Sequence, residues 1–459
     1  MIFMRTKQAA DRRDFLKTSL IGATAASVPY FCSAERSLAD ETKAKNDRMN
    51  VGVIGCGGIA RANMNASKQW LDIVAIADVD KGRREDFNDR FASGKATVTE
   101  DYREVISRDD VDVIHVATPD HWHTKPLIEA MLAGKDVYCE KPLTLTIDEG
   151  KLIRKVQKET GRVVQVGTMQ RSQFDTFTKA MAMVSEGRLG RITQVQAAIG
   201  SASASPAIPV ADVPEGLNWD RWLGPAPEVD YRYMDGGRNG KSNCHYEFRW
   251  WYEYSGGKLT DWGAHHVDIC NWALKLNGQQ EGPTSIGGTA VHPVEFNGGF
   301  PVEIDRYNTA TNFQFKVDYP SGAEMVIRSD TDNGVLITGT EGRIFVNRKK
   351  LVGKPVEDLQ RNPLPEDAIA KVYRELPLEQ GGSRAAHWGN FLHCVRERKT
   401  PISDVDSHME MLNVCHLAGI SARLGRTLRW DDANEQIVGD DEANAFLARP
   451  YRSGYEIEM

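Results

Sequence analysis

Short apolar runs alternate with helical stretches from Met49 to Thr168, and this alternation constrains the fold more than any other feature of the chain. Val51-Gly52-Val53-Ile54, Ile73 to Ala77, Val111 to Ala117, Asp136 to Glu140 and Arg162 to Thr168 read as strands. Helical patterns fill the gaps, running to about Lys68 and over Lys81 to Phe91, Lys125 to Ala133 and Thr146 to Thr160. Strands that are apolar throughout, rather than at every second residue, are covered on both faces. The pattern therefore predicts an α/β fold that opens with a doubly wound parallel sheet, with helices on both sides.

Gly55-x-Gly57-x-x-Ala60 sits where the first strand passes into the first helix. Gly55 permits a tight turn, Gly57 lets the backbone approach a pyrophosphate, and Ala60 lets the helix pack closely on the strand. Gly58 and Ile59 open the helix, whose free N–H groups and positive dipole end suit phosphate oxygens. Asp78 follows about 20 residues on, at the end of the second strand, where a carboxylate accepts from ribose hydroxyls and repels a 2′-phosphate. The expectation is a dinucleotide, NAD in preference to NADP, although Lys81, Arg83 and Arg84 stand close by.

Before this region, Asp11-Arg12-Arg13-Asp14-Phe15-Leu16-Lys17 precedes an apolar run from Thr18 to Phe31. That run is shorter than the roughly 20 residues a membrane-spanning helix needs. A basic pair, a short apolar core and then small residues form the layout of an export signal. The pair with Phe-Leu-Lys resembles a twin-arginine signal, with cleavage expected after Ala34 or Ala39. The expected destination is the periplasm, or another exported location, by way of the twin-arginine machinery. The 57 Lys and Arg against 64 Asp and Glu give a net charge of −7, which argues against a nucleic-acid partner. None of the seven cysteines forms a CxxC pair, so zinc ribbons are not expected.

Two further motifs fall where ligands bind in such sheets: Thr118-Pro119-Asp120-His121-Trp122-His123 and Glu140-Lys141-Pro142. Later comes Gly256-Gly257-Lys258-Leu259-Thr260-Asp261-Trp262-Gly263-Ala264-His265-His266-Val267-Asp268. At helical spacing Asp261, His265, Asp268 and Trp272 form one stripe, and Trp262, His266, Ile269 and Ala273 another. The first stripe is read as facing a site and the second as core. His121 and His123 have no evident third ligand nearby, so no metal site is expected.

With the glycine motif, these elements resemble the glucose–fructose oxidoreductase / inositol dehydrogenase / rhizopine catabolism family (Gfo/Idh/MocA). The resemblance covers nearly all of the chain beyond the signal. It implies a Rossmann domain over 48–170 and a substrate and oligomerisation domain over 171–459, with a large open, mostly antiparallel sheet; residues 1–39 are the signal. It implies that Lys141 lies near both nicotinamide and substrate, and that Asp261 and His265 form the second hallmark. Thr118, Pro119, His123 and Glu140 join the glycine loop as expected cofactor contacts, and Arg171 and Trp250 join Asp261 and His265 as expected substrate contacts.

The reaction implied is hydride transfer between a sugar, polyol or glycoside carbon and nicotinamide. His265 is the expected acid/base, Lys141 the group that polarises the oxygen, and Asp261 the group that holds a substrate hydroxyl. Free NAD is not expected outside the cytoplasm, so an exported enzyme of this kind should hold its cofactor tightly. A homo-oligomer is expected. Two other readings compete: redox-neutral glycoside cleavage through transient oxidation by NAD, and non-catalytic carbohydrate binding.

Overall fold

The computed structural model describes residues 48–236 and 240–457. The twin-arginine segment and the cleavage positions within residues 1–39 lie outside the described residues.

Six parallel strands form the first sheet: β1 (Met49–Ile54), β2 (Leu71–Ala77), β3 (Thr97–Thr99), β4 (Val113–Val116), β5 (Asp136–Cys139) and β6 (Val164–Val166). Their order, β3-β2-β1-β4-β5-β6, is doubly wound about β1 and β4. β4, β5 and β6 are buried at every position, His115, Asp136 and Gln165 included, as in a parallel sheet covered on both faces. β3 was absent from the strand pattern read in the sequence. It is a three-residue edge strand, Thr-Val-Thr, none of it buried, and so it carries no apolar run to detect. Local chemistry sets the helix ends. Asp80 accepts from the Arg83 N–H to cap Lys81–Phe91, and Gly161 ends Ile147–Thr160 in the left-handed region at φ +63°.

Thirteen further strands follow: β7 (Ile192–Ala198), β8 (Tyr233–Met234), β9 (Lys241–Ser242), β10 (Ser285–Val291), β11 (Phe296–Asn297), β12 (Phe300–Pro301), β13 (Asn312–Asp318), β14 (Glu324–Arg328), β15 (Gly334–Gly339), β16 (Arg343–Val346), β17 (Leu351–Val352), β18 (Leu428–Asp431) and β19 (Gln436–Ile437). β8–β9 and β11–β12 are small hairpins; the others form one nine-stranded sheet, β17-β16-β15-β7-β14-β13-β10-β18-β19. Only β7 and β14 run parallel; every other neighbouring pair is antiparallel. One face is buried under the helices Gly263–Leu276 and Val405–Leu424. The other is open, and along β13 Phe313, Phe315 and Val317 point inward while Asn312, Gln314 and Lys316 point out.

The second half of the chain also closes the far edge of the first sheet. Trp388, on the helix Ser383–Glu397, stacks on Tyr138 of β5 with ring centroids 4.0 Å apart. The Val166 N–H of β6 donates to the Ser403 carbonyl at 2.9 Å. Residues distant in sequence are thereby brought to the strand ends where the site lies.

Candidate active site

A cavity of about 1070 Å³ runs along the C-terminal ends of the first sheet's strands, from the glycine loop to Lys141 and His265. Gly55 lies at φ +89°, and a Cβ there would sit 2.7 Å from the Ala117 carbonyl carbon. The loop after β1 is thus pressed against the loop after β4, which only glycine allows. Gly57 and Gly58 border open space: a Cβ on Gly58 would meet nothing within 4 Å, and one on Gly57 only Arg83 Nη1 at 3.9 Å. Gly57 stands at the N-cap of Gly58–Ser67 without a side-chain cap, so the helix start faces the cavity bare.

Ile59 lines the cavity beside this loop. Ala60 does not; it is fully buried, and its small side chain serves helix–strand packing rather than cofactor contact. Asp78 reaches back to the loop, accepting from the Cys56 N–H at 2.7 Å and the Asp80 N–H at 2.9 Å. Burial pushes its carboxyl up, against the pull of those two N–H groups. A bare helix start, two glycines facing empty space and a carboxylate at the β2 end are the features that seat a dinucleotide's pyrophosphate and ribose.

The second half of the chain roofs this end. Tyr231, Tyr233, Ser242 and the turn His245–Arg249 line the cavity opposite the glycine loop. His245 Nε2 lies 3.4 Å from Asp80 Oδ2, and burial, with Arg83 close by, pulls its imidazole down to about 4.

Lys141 dominates the other end. Its Nζ donates to Asp261 Oδ1 at 2.6 Å and to the Asp261 carbonyl at 2.9 Å. Burial pushes the Asp261 carboxyl up, but Lys141 and Arg249 outweigh it and hold it at about 2. Arg249 Nε stands 3.7 Å from the same carboxylate oxygen. His265 is buried, and its Nδ1 has no hydrogen-bond partner. Burial, with Lys141 and Arg348 nearby, holds its imidazole well below 6.5, so the ring is neutral.

Glu140 anchors the wall behind Lys141. It accepts from Asn63 Nδ2 at 2.7 Å, and its carboxylate fills the space that a side chain at residue 167 would need. Thr118 and Pro119 line the cavity between its two ends. His123 ties the loops together, with Nε2 2.9 Å from the Thr118 carbonyl and Nδ1 2.7 Å from the Pro142 carbonyl. His121 is occupied by the Trp222 carbonyl at 3.0 Å. Among the described residues no group of three His, Cys, Asp or Glu side chains is placed to hold a metal.

Two expected substrate contacts lie elsewhere. Arg171 is 2% exposed and turned into the interior, forked onto Asp268 at 2.8 and 2.7 Å and donating to the Ile402 carbonyl. A buried guanidinium takes the partner that neutralises it, and that partner is Asp268. Asp268 and Trp272, expected on the site-facing stripe, therefore belong to the interior; the Trp272 ring lies 5.3 Å from the Arg171 guanidinium. Trp250 is also buried, its indole N–H donating to Glu247 at 2.9 Å. Trp262 lies between the helices Lys258–Asp261 and Gly263–Leu276, itself at φ −92° and ψ −25°, and lines the cavity. His266 stays fully buried, with Nε2 2.9 Å from Asn333 Oδ1.

Asp120, Trp262, Arg348 and Arg384 also line the cavity and were not singled out from the sequence as site residues. Asp120 accepts from the Ser255 hydroxyl at 2.6 Å, and burial pushes its carboxyl up to about 7. It stood inside a quoted motif, and only its burial marks it out. Arg348 and Arg384 carry no local motif.

A family model described as an oxidoreductase family with an NAD-binding Rossmann fold (GFO_IDH_MocA) matches residues 49–168. The model of that family's C-terminal α/β domain matches residues 201–457. "Glycosyl hydrolase family 109 protein 2" of Shewanella sp. strain ANA-3 is 35% identical over 159 residues, 30% of this chain and 35% of the relative. The chain thus spans about a third of that relative's length. "scyllo-inositol 2-dehydrogenase (NAD(+))" of Bacillus subtilis is 25% identical over 390 residues, covering 83% of this chain and 95% of the relative. The structure of a levoglucosan dehydrogenase in complex with NADH and levoglucosan superposes with a TM-score of 0.60 at 19% identity, covering 83% of this chain and 99% of that one. That likeness shows a shared fold.

Proposed function

Since the chain belongs to the Gfo/Idh/MocA oxidoreductase family, we propose that it is an exported NAD-dependent oxidoreductase acting on a secondary alcohol of a sugar, polyol or glycoside. The observation that carries this reading is the meeting of Lys141, Asp261 and a neutral His265 at the far end of a cavity that begins at the glycine loop. Bound NAD supplies the hydride acceptor. Lys141 spends two of its three N–H donors on Asp261, which leaves one for the substrate oxygen. The neutral imidazole of His265 takes the hydroxyl proton. Asp261 fixes the Lys141 head and keeps its charge matched.

The roof of His245–Arg249 over the glycine loop supports a tightly held cofactor, as an exported enzyme would need. The basic pair and apolar run of residues 11–31 support twin-arginine export. The open face of the nine-stranded sheet is the surface we assign to a homo-oligomer.

The test is a panel of sugars, polyols and glycosides added to purified protein, following the near-ultraviolet absorbance of reduced nicotinamide alongside product analysis. A rise that tracks the oxidised sugar supports the reading. The match to a glycosyl hydrolase family 109 protein favours one second reading, redox-neutral glycoside cleavage. Released aglycone without net reduction would select it. Protein purified from the exported fraction and then gel-filtered should retain stoichiometric dinucleotide.

A further inference from the structure

Five cations gather round the reacting end of the cavity. Asp261 accounts for two of them, Lys141 in direct contact and Arg249 at 3.7 Å. Lys258 lies with Nζ 5.5 Å from the Trp262 ring centroid. The remaining two, Arg348 and Arg384, line the cavity beside His265, and among the described residues neither forms an ion pair. Arg171, deep in the interior, is by contrast forked onto Asp268.

The two arginines come from unrelated parts of the chain. Arg348 stands just past β16, with its guanidinium carbon 4.7 Å from the centre of the Trp262 ring. Its Nε is buried and has no hydrogen-bond partner. Arg384 lies in the first turn of Ser383–Glu397 and donates through Nη1 to Asn63 Oδ1 at 2.9 Å, which leaves most of its donors unused. Each is close enough to help depress the His265 imidazole, and Arg384 does the same to Arg348. Two like charges facing one cavity, one with an orphaned buried N–H, are the arrangement that an anionic group would satisfy.

We propose that the substrate carries an acidic substituent, a carboxylate or a phosphate ester, and that Arg348 and Arg384 hold it beside His265 while Lys141 receives the reacting oxygen. This deepens the oxidoreductase reading and rests on it. Guanidinium forks match paired anionic oxygens, and the Trp262 ring packs beside the Arg348 guanidinium at 4.7 Å. A neutral sugar would leave both arginines unanswered.

The experiment titrates glucose, glucuronate and glucose 6-phosphate into the NAD-loaded full chain by calorimetry, for wild type and for Arg348→Gln, Arg384→Gln and the double variant. The expected result is about tenfold to a hundredfold tighter binding of an acidic sugar than of glucose, most of it lost in the variants while NAD affinity holds. Preference for glucuronate identifies a carboxylate as the natural group, and preference for glucose 6-phosphate a phosphate ester. Equal binding of glucose, or an acidic preference that survives in the double variant, overturns the proposal and leaves the oxidoreductase reading standing.

Should none of the three sugars bind, inorganic phosphate decides the subsite by itself. If it raises the thermal midpoint of wild type and not of the double variant, the anion site stands and the sugar reading fails. No difference between the two overturns the anion site as well.

Discussion

Asp120→Asn tests whether the cavity holds a carboxyl against its ordinary preference. Asp120 is 6% exposed, and burial pushes its titration from 3.8 up to about 7, although Arg249 and Ser255 pull the other way. A carboxyl with a raised pKa binds more protons folded than unfolded between those two values. Its contribution to stability is therefore greatest at low pH and is lost as pH rises through about 7. Each unit of pH inside that window is worth about 1.4 kcal/mol. From pH about 5 to pH about 8 the chain crosses roughly two such units, so wild type should lose about 2.5 kcal/mol through this group alone. Asn keeps an acceptor for the Ser255 hydroxyl and does not titrate. Any constant cost of its amide cancels when the two pH values are compared. Urea unfolding of both proteins at both values should show the variant gaining about 2.5 kcal/mol on wild type at the higher pH. Parallel stability of the two proteins across that range would refute the argument and make Asp120 an ordinary ionised carboxylate.

Lys141→Met and His265→Gln should each lower kcat by about 10²–10⁴-fold with NAD affinity retained, measured by turnover and by dinucleotide titration. Because His265 is held well below 6.5, it gains a proton only as pH falls through that depressed value. The acid limb of kcat/KM should then lie below 6.5 in wild type and vanish in His265→Gln. Gly58→Val should leave apo stability unchanged, because nothing lies within 4 Å of its Cβ, while weakening NAD binding at least about tenfold. Gly55→Ala should instead destabilise the apo-protein by about 1–3 kcal/mol, since it forces a side chain to φ +89° against the Ala117 backbone. Asp268→Asn strands the Arg171 guanidinium and should cost about 3–5 kcal/mol in urea unfolding, with substrate KM unchanged in the folded fraction. A raised KM without loss of stability would return Arg171 to the substrate site.

The parts of this molecule that the sequence exposes are those whose causes are local. Mostly apolar strands, the Gly55 turn, the Asp80 and Gly161 helix ends and the spacing from Gly57 to Asp78 each depend on a handful of neighbouring residues. β3 escaped because a three-residue strand with no buried position leaves no hydrophobic signature. Arg171 misled because its place after β6 puts its backbone near the cleft. Its direction is set by Asp268, 97 residues away, and no local pattern records that partner. Asp261 and His265 line the cavity as their stripe predicts, but Trp262 of the expected core stripe lines it too, and Asp268 turns inward to Arg171. Arg348 and Arg384 were illegible for the same reason as Arg171: what marks them is the absence of an ion-pair partner, which only tertiary structure can show.

This division has a functional consequence. The glycine loop, Asp78 and the loops after β4 and β5 come from one continuous stretch of chain and answer to the cofactor, whose chemistry is constant. Trp262, Arg348 and Arg384 come from three separated segments of the second half and, on the proposed reading, answer to the substrate. Lys141 and Asp261 are where the two halves meet, across 120 residues of sequence and 2.6 Å of space. A change of substrate charge therefore needs no change in the first sheet. On the proposed reading, replacing Arg348 and Arg384 would recast what is bound, while Lys141 and His265 would keep the same proton and hydride geometry.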